Sequence, residues 1–128
     1  MRRSTLALVA IAAACSTPTA PVAVGTWGGP EASLVLTRAG GNLSYSCGAG
    51  TVDSAWTISD DGQFLASGEH FFGGGPVPPQ GHEPHPARYS GTIKGNALTL
   101  TVTLTDLDLT LGPYRMLRGG PIAVELCL

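Results

Sequence analysis

The chain has 128 residues, of which 43% are hydrophobic and 12% charged, and its formal net charge is −2. This length holds one domain, since single domains usually run to about 100 to 150 residues. The hydrophobic share excludes a disordered chain. The weak charge and the absence of a Lys/Arg cluster exclude a nucleic-acid-binding surface. Eighteen glycines and ten prolines predict tight turns between short strands, and hence an all-β fold.

The first residues have the order of a secretory signal. Arg2 and Arg3 precede an apolar run from Leu6 to Ala14, and Cys15 and a polar stretch follow. The run is shorter than the roughly 20 residues that a transmembrane helix needs. We therefore expect an exported protein with a signal peptide over 1–14, a linker over 15–24 and one β domain over 25–128.

The end of this signal resembles the lipobox of bacterial lipoproteins, in the residues Ala12-Ala13-Ala14-Cys15. The resemblance implies that Cys15 becomes the new N-terminus and carries lipid, which tethers the protein on the periplasmic or outer side of a bacterial membrane. Each buried CH₂ of such a lipid contributes about 0.8 kcal/mol. Ala12 stands where leucine is commonest, and the same residues satisfy the small-x-small rule of ordinary signal peptidase. A soluble secreted protein is therefore the alternative.

The cysteine count agrees with export. With Cys15 assigned to the lipid, Cys47 and Cys127 form the only possible pair in the domain. An oxidising compartment would join them. In the chain-entropy model, a bridge that closes so long a loop stabilises the fold by about 4 kcal/mol. Two buried free thiols are the alternative.

Short runs with strand character follow one another along the domain. In chain order they are Ser33–Thr37, Leu43–Cys47, Ala55–Ser59, Gln63–Phe71, Tyr89–Ile93, Leu98–Leu104, Leu107–Leu111, Tyr114–Arg118 and Ile122–Cys127. The Asp60-Asp61-Gly62 turn predicts that the third and fourth runs form a hairpin. The alternation slips at Asp106, where we expect a bulge or turn. About eight short antiparallel strands predict a small closed barrel, with a β-sandwich as the alternative.

The start of the domain carries a family resemblance. Gly25-Thr26-Trp27 resembles the Gly-x-Trp opening of calycins, the lipocalin and avidin-like barrels. The resemblance implies that Trp27 packs across the closed barrel end beside a basic residue of the last strands, either Arg115 or Arg118. An ordinary core tryptophan is the alternative. The pattern from Gly25 to Cys127 is also similar to small secreted bacterial proteins of unassigned function.

Two sets of residues are candidates for binding. Aromatic side chains could line a ligand pocket beside the long 73–86 loop or could belong to the core, and they are Trp27, Trp56, Phe71, Phe72, Tyr89 and Tyr114. His70, His82 and His85 could bind zinc, copper or nickel, or could be solvated loop histidines.

No motif predicts catalysis. No nucleophile-elbow pattern surrounds any serine, so we expect neither an enzyme nor a cofactor. The expected function is a non-catalytic binding or structural module of the cell envelope, with an unknown small ligand or protein as partner. The alternative is a periplasmic protease inhibitor that acts through residues 16–24.

Overall fold

The computed structural model describes residues 22–45, 47–73, 79 and 81–121. This part of the chain is all β-structure, and no helix in it has the length and apolar character needed to cross a bilayer. The strands are β1 (Val22–Ala23), β2 (Gly25–Gly28), β3 (Ala32–Thr37), β4 (Gly40–Tyr45), β5 (Gly48–Val52), β6 (Trp56–Thr57), β7 (Gln63–Phe72), β8 (His85–Lys94), β9 (Ala97–Leu104) and β10 (Leu109–Arg118).

Eight of these strands form a closed antiparallel barrel in the order β10-β2-β3-β4-β5-β7-β8-β9. From β2 to β10, each strand pairs with the next one along the chain, except that β6 is skipped. The barrel closes where β10 pairs with β2, with Leu117 opposite Gly28 and Arg118 opposite Trp27. Closure leaves none of the eight strands with an unpaired edge. The predicted barrel is therefore confirmed, and the alternative, a β-sandwich, is not the fold.

The hairpin predicted across the Asp60-Asp61-Gly62 turn forms only next to the turn and does not extend into the barrel. The run Ala55–Ser59 contributes only β6, which pairs with β1 outside the barrel, and a single bridge joins Ile58 to Phe64. Its place beside β7 is taken by β5, a strand that the sequence did not predict. The sequence analysis missed β5 because its sequence is Gly-Ala-Gly-Thr-Val, and glycines weaken both the alternation and the strand propensity.

The predicted break at Asp106 is confirmed as a turn over 105–108 between β9 and β10. The runs Leu107–Leu111 and Tyr114–Arg118 are not two strands. Most of both forms β10, whose register against β9 shifts between Leu111 and Tyr114. The predicted last strand, Ile122–Cys127, lies outside the described residues.

The barrel interior is filled by alternate residues of each strand. In β9 these are Leu98, Leu100, Val102 and Leu104, and each is at most 1% exposed. The threonines between them lie on the outer face, as the period of two requires. Full burial of such an aliphatic side chain stabilises a fold by about 1.5 to 3 kcal/mol. The alternation seen in the sequence is therefore what packs this wall of the barrel.

Tyr89 fills the middle of the interior because glycines face it. A Cβ on Gly50 would lie 2.7 Å from the Tyr89 hydroxyl, and one on Gly68 would lie 2.8 Å from the Tyr89 ring. The hydroxyl is within hydrogen-bond distance of the carbonyl oxygens of Thr51, at 3.0 Å, and Glu69, at 3.1 Å. Burial raises the pKa of Tyr89 to about 12, so the phenol remains a donor to these carbonyls.

Candidate binding site at the open end of the barrel

The strand directions divide the connections between two ends of the barrel. At the first end, which we call the closed end, lie the β3–β4 turn, the 53–62 segment and the β8–β9 turn. At the second, the open end, lie the β2–β3 turn, the β4–β5 connection, the 73–84 loop and the β9–β10 turn. The two ends differ in which side chains fill them.

Trp27 and Arg118 cover the closed end. Trp27 is fully buried, and the Arg118 guanidinium carbon lies 4.2 Å from the centroid of its ring. Arg118 also donates a 2.8 Å hydrogen bond from Nη1 to the Val24 carbonyl oxygen. This cation–π pair is the arrangement that the calycin resemblance implied. Arg118 provides it, while Arg115 is exposed on the outer face of β10.

Trp56 completes the closed end. The short β1–β6 pair places Ala23 beside Trp56, and both are fully buried. The Trp56 ring stacks on Phe64 with centroids 4.4 Å apart and an interplanar angle of 7°. Trp27 and Trp56 thus close the barrel, and neither has exposed surface. The pairing also holds Val22–Ala23 in the fold, although the sequence placed them in the linker that could act as an inhibitor.

Five aromatic rings gather at the open end, and we call them the mouth cluster: Tyr45, His70, Phe72, His85 and Tyr114. Ring centroids lie 5.4 Å apart for Tyr45 and His70 and 5.2 Å apart for Tyr45 and Tyr114. Phe72 meets His70 edge-on at 4.6 Å and His85 at 5.3 Å. Because β4 and β10 are not neighbours, the Tyr45–Tyr114 contact crosses the barrel interior.

Two members of the mouth cluster, Tyr45 and His70, are buried and carry polar atoms without a hydrogen-bond partner among the described residues, and His70 has two such atoms. His70 is 2% exposed, and the two atoms are its ring nitrogens. The ring lies over β5, where a Cβ on Gly48 would be 3.0 Å from His70 Cε1. Burial, and then the nearby His85, lowers the pKa of His70. At neutral pH the ring is therefore uncharged, with one donor and one acceptor nitrogen.

His85 is held by the β9–β10 turn. Its Nδ1 lies 2.7 Å from Asp106 Oδ2, and the carboxylate can only accept, so Nδ1 carries the hydrogen. His85 and His70 are direct partners across β7 and β8, which places both on the inner face. In the described part of the chain, no serine, threonine or tyrosine hydroxyl is hydrogen-bonded to His85. The His85–Asp106 pair has the orientation of a base held by a carboxylate.

The predicted aromatic residues divide between the two ends and the middle. Phe72, 37% exposed, and Tyr114, half-buried, belong to the mouth cluster. Phe71 lies on the opposite face of β7, because neighbouring side chains of a strand point to opposite sides. Tyr89 lies in the middle of the core. The sequence analysis missed Tyr45 as a site residue, although the alternation of Leu43 and Tyr45 with Ser44 puts Leu43 and Tyr45 on one face of a strand.

The three predicted metal ligands do not come together. His70 and His85 are neighbours, but His82 lies in the 81–84 segment before β8. Among the residues that the structure describes, no group of three or more His, Cys, Asp or Glu side chains is placed to hold a metal ion. Cys15 and Cys127 lie outside the described residues, so lipidation and the Cys47–Cys127 bridge stay predictions.

Together, fold and site define an eight-stranded antiparallel barrel with one end closed by tryptophans and the other lined by tyrosine, phenylalanine and histidine rings. In comparisons with protein-family models, with curated proteins and with solved structures, nothing matches this chain significantly.

Proposed function

We propose that this protein is a non-catalytic binding module of a bacterial cell envelope, exported and tethered by lipid on Cys15, which takes a small ligand at the mouth cluster. The observation that carries the proposal is His70, a buried imidazole without a hydrogen-bond partner among the described residues. A buried polar group without a partner costs about 1 to 3 kcal/mol. A ligand that pairs with His70 would recover that free energy on binding.

The surroundings of His70 support binding over a purely structural role. Aromatic walls with one or two convergent polar groups are typical of ligand sites. At the closed end the faces of the aromatic rings are already covered, because Arg118 lies on Trp27 and Phe64 lies on Trp56. At the open end, Phe72 remains 37% exposed next to both histidines. A ligand can therefore reach the cluster from this side.

Export and the tether rest on the sequence of the N-terminus. Arginines, an apolar run and Ala12-Ala13-Ala14-Cys15 follow in the order that a lipoprotein signal requires. The described strands begin at Val22, so the six residues 16–21 would separate a lipid on Cys15 from the first strand. Such a tether would hold the barrel close to the membrane without embedding it.

The predicted Cys47–Cys127 bridge fits the course of the chain after β10. Pro121 lies beside Gly28 at the end of β2, where a Cβ on Gly28 would be 2.8 Å from the Pro121 carbonyl oxygen. Two strand spacings of about 4.8 Å separate β2 from β4, and Cys47 comes just after β4. The chain from Pro121 to Cys127 reaches about 20 Å when extended, which covers this separation.

Fluorescence of the neutral aromatic probe N-phenyl-1-naphthylamine tests the binding proposal. We expect saturable enhancement with the purified mature protein and at least tenfold weaker binding in Phe72→Ala. The matched control is Leu65→Ala, on the same strand but 65% exposed on its outer face, which should bind like the wild type. No saturable enhancement, or the same loss in both variants, contradicts a site at the mouth cluster.

Intact mass of the protein after export tests the covalent part. We expect a chain that begins at Cys15, carries a diacylglycerol thioether and an acyl chain, and has lost two hydrogens to one disulfide. Cys15→Ser is the control and should lose the lipid but keep the bridge. An unmodified N-terminus contradicts the tether, and two sulfhydryls that react with an alkylating reagent contradict the bridge.

A further inference from the structure

The charges of the open end have one sign. Its connections carry Glu31, Glu83, Asp106 and Asp108, all exposed, and their sequences hold neither Lys nor Arg. The closed end is mixed: Arg38, Lys94 and Arg118 lie there together with aspartates of the 53–62 segment. The ends of the barrel therefore differ in electrostatic potential, and the open end attracts cations.

Among the residues that the structure describes, no lysine or arginine side chain lies on the inner side of the open end. Arg88 and Arg115 lie on outward positions of β8 and β10, and Arg118 is committed to Trp27. An anionic ligand at the mouth cluster would therefore meet no compensating charge within the barrel. The faces of Tyr45, Phe72 and Tyr114 instead carry the negative quadrupole that attracts an ammonium group.

His70 adds a directional contact. An uncharged imidazole has one nitrogen lone pair that accepts a hydrogen bond, and an ammonium group donates up to three. Burial lowers the pKa of His70, which keeps that lone pair available at neutral pH. On the outside of the barrel, a concavity of about 250 Å³ has Asp53, Glu69 and His85 among its lining residues. The charged residues that the structure describes in the open-end connections are thus all acidic.

From the aromatic walls, the acidic rim and the buried unpartnered His70, we infer that the mouth cluster binds a small organic cation, a protonated amine on an apolar or aromatic body. The ammonium group lies among the rings and donates to His70, and the apolar body contacts Phe72 at the rim. This inference rests on the proposed binding function and adds the chemical class of the ligand.

Three probes of similar size and different charge test it: 2-phenylethylammonium, 2-phenylethanol and 3-phenylpropionate. Backbone amide NMR titrations of the mature protein measure affinity and locate each probe. We expect shift changes at the open end, with the ammonium bound at least fivefold more tightly than the alcohol and the carboxylate weakest. Raising the salt concentration should reduce the preference for the ammonium.

Matched turn variants test the rim charge. Asp108→Asn in the β9–β10 turn should reduce the preference for the ammonium over the alcohol at least twofold, while Asp60→Asn at the closed end leaves it unchanged. Asn tolerates the left-handed backbone of Asp108, whose φ is 48°. Both variants remove one charge from a turn, so their net charges match.

The outcomes separate the two proposals. If the alcohol or the carboxylate binds at the open end as tightly as the ammonium, or if both turn variants behave alike, the cation inference is wrong and the binding module stands. If none of the probes shifts the open-end amides, both proposals are wrong. Tight ammonium binding that maps to the closed end also overturns the inference.

Discussion

Replacement of Arg118 by alanine tests whether the calycin-like closure of the barrel stabilises the fold. The change removes the guanidinium 4.2 Å from the Trp27 ring and the 2.8 Å hydrogen bond to the Val24 carbonyl. At an exposed site the cation–π contact is worth about 0.5 to 1 kcal/mol. A hydrogen bond contributes about 1 kcal/mol net. We therefore expect a loss of about 1.5 to 2 kcal/mol in the free energy of unfolding.

Equilibrium urea unfolding followed by tryptophan fluorescence measures this loss, since both tryptophans are buried at the same end. The midpoint should fall while the slope with denaturant stays constant, because the surface exposed on unfolding hardly changes. Arg118→Lys should fall between the wild type and alanine, since lysine keeps the charge but not the planar group that stacks on the indole.

Arg115→Ala is the matched control. Arg115 is on the same strand but exposed on the outer face, and substitutions at such positions usually change stability by less than about 0.5 kcal/mol. If the two alanine variants lose the same stability, the Arg118–Trp27 contact does not hold the closed end together. The calycin-like role of Trp27 would then reduce to that of an ordinary buried core residue.

Two further changes test the interior. Gly68→Ala should prevent folding or cost several kcal/mol, because the new Cβ would collide with the Thr51 carbonyl and with Tyr89. Gly95→Ala is the control: its Cβ meets nothing within 4 Å, so it should cost only about 1 kcal/mol of backbone strain. Circular dichroism and urea unfolding distinguish the two variants. The wild type should lose stability as the pH falls below about 6.5, because the unfolded chain then protonates His70 while the folded state, with its lowered pKa, resists. Between pH 7 and 5, His70→Phe should lose less free energy of unfolding than the wild type, as measured by urea unfolding. Parallel plots of the free energy of unfolding against pH for the two proteins would refute this.

The fold was largely predictable because most of the strands follow simple rules. The alternation of Leu98 to Leu104 with threonines marks β9, and the residues around Asp106 mark the turn after it. What failed was the pairing of β7. The Asp60-Asp61-Gly62 turn favoured the preceding run as the partner, whereas the chain uses the glycine-rich β5. Local turn signals do not decide between partners when glycines conceal the true strand.

The candidate site was less predictable because it depends on register. The sequence singled out His70 and His85 but joined them to His82 as metal ligands. Only the pairing of β7 with β8 makes His70 and His85 direct partners. The contact between His85 and Asp106 joins residues 21 positions apart, through a turn whose side-chain directions the sequence does not reveal. Phe72 and Tyr114 were predicted as site residues, whereas the tryptophans grouped with them serve the closed end.

The packing of the interior limits what the open end can bind. An eight-stranded barrel is just wide enough for its own side chains to fill, and here Tyr89, Leu100 and Val102 occupy the middle with no exposed surface. A ligand therefore cannot pass beyond Tyr45 and His70 without unpacking the core. Small ligands bind with roughly 0.3 to 1.5 kcal/mol per non-hydrogen atom. A ligand held only at this depth is small, or is the protruding group of a larger partner that also contacts the acidic rim.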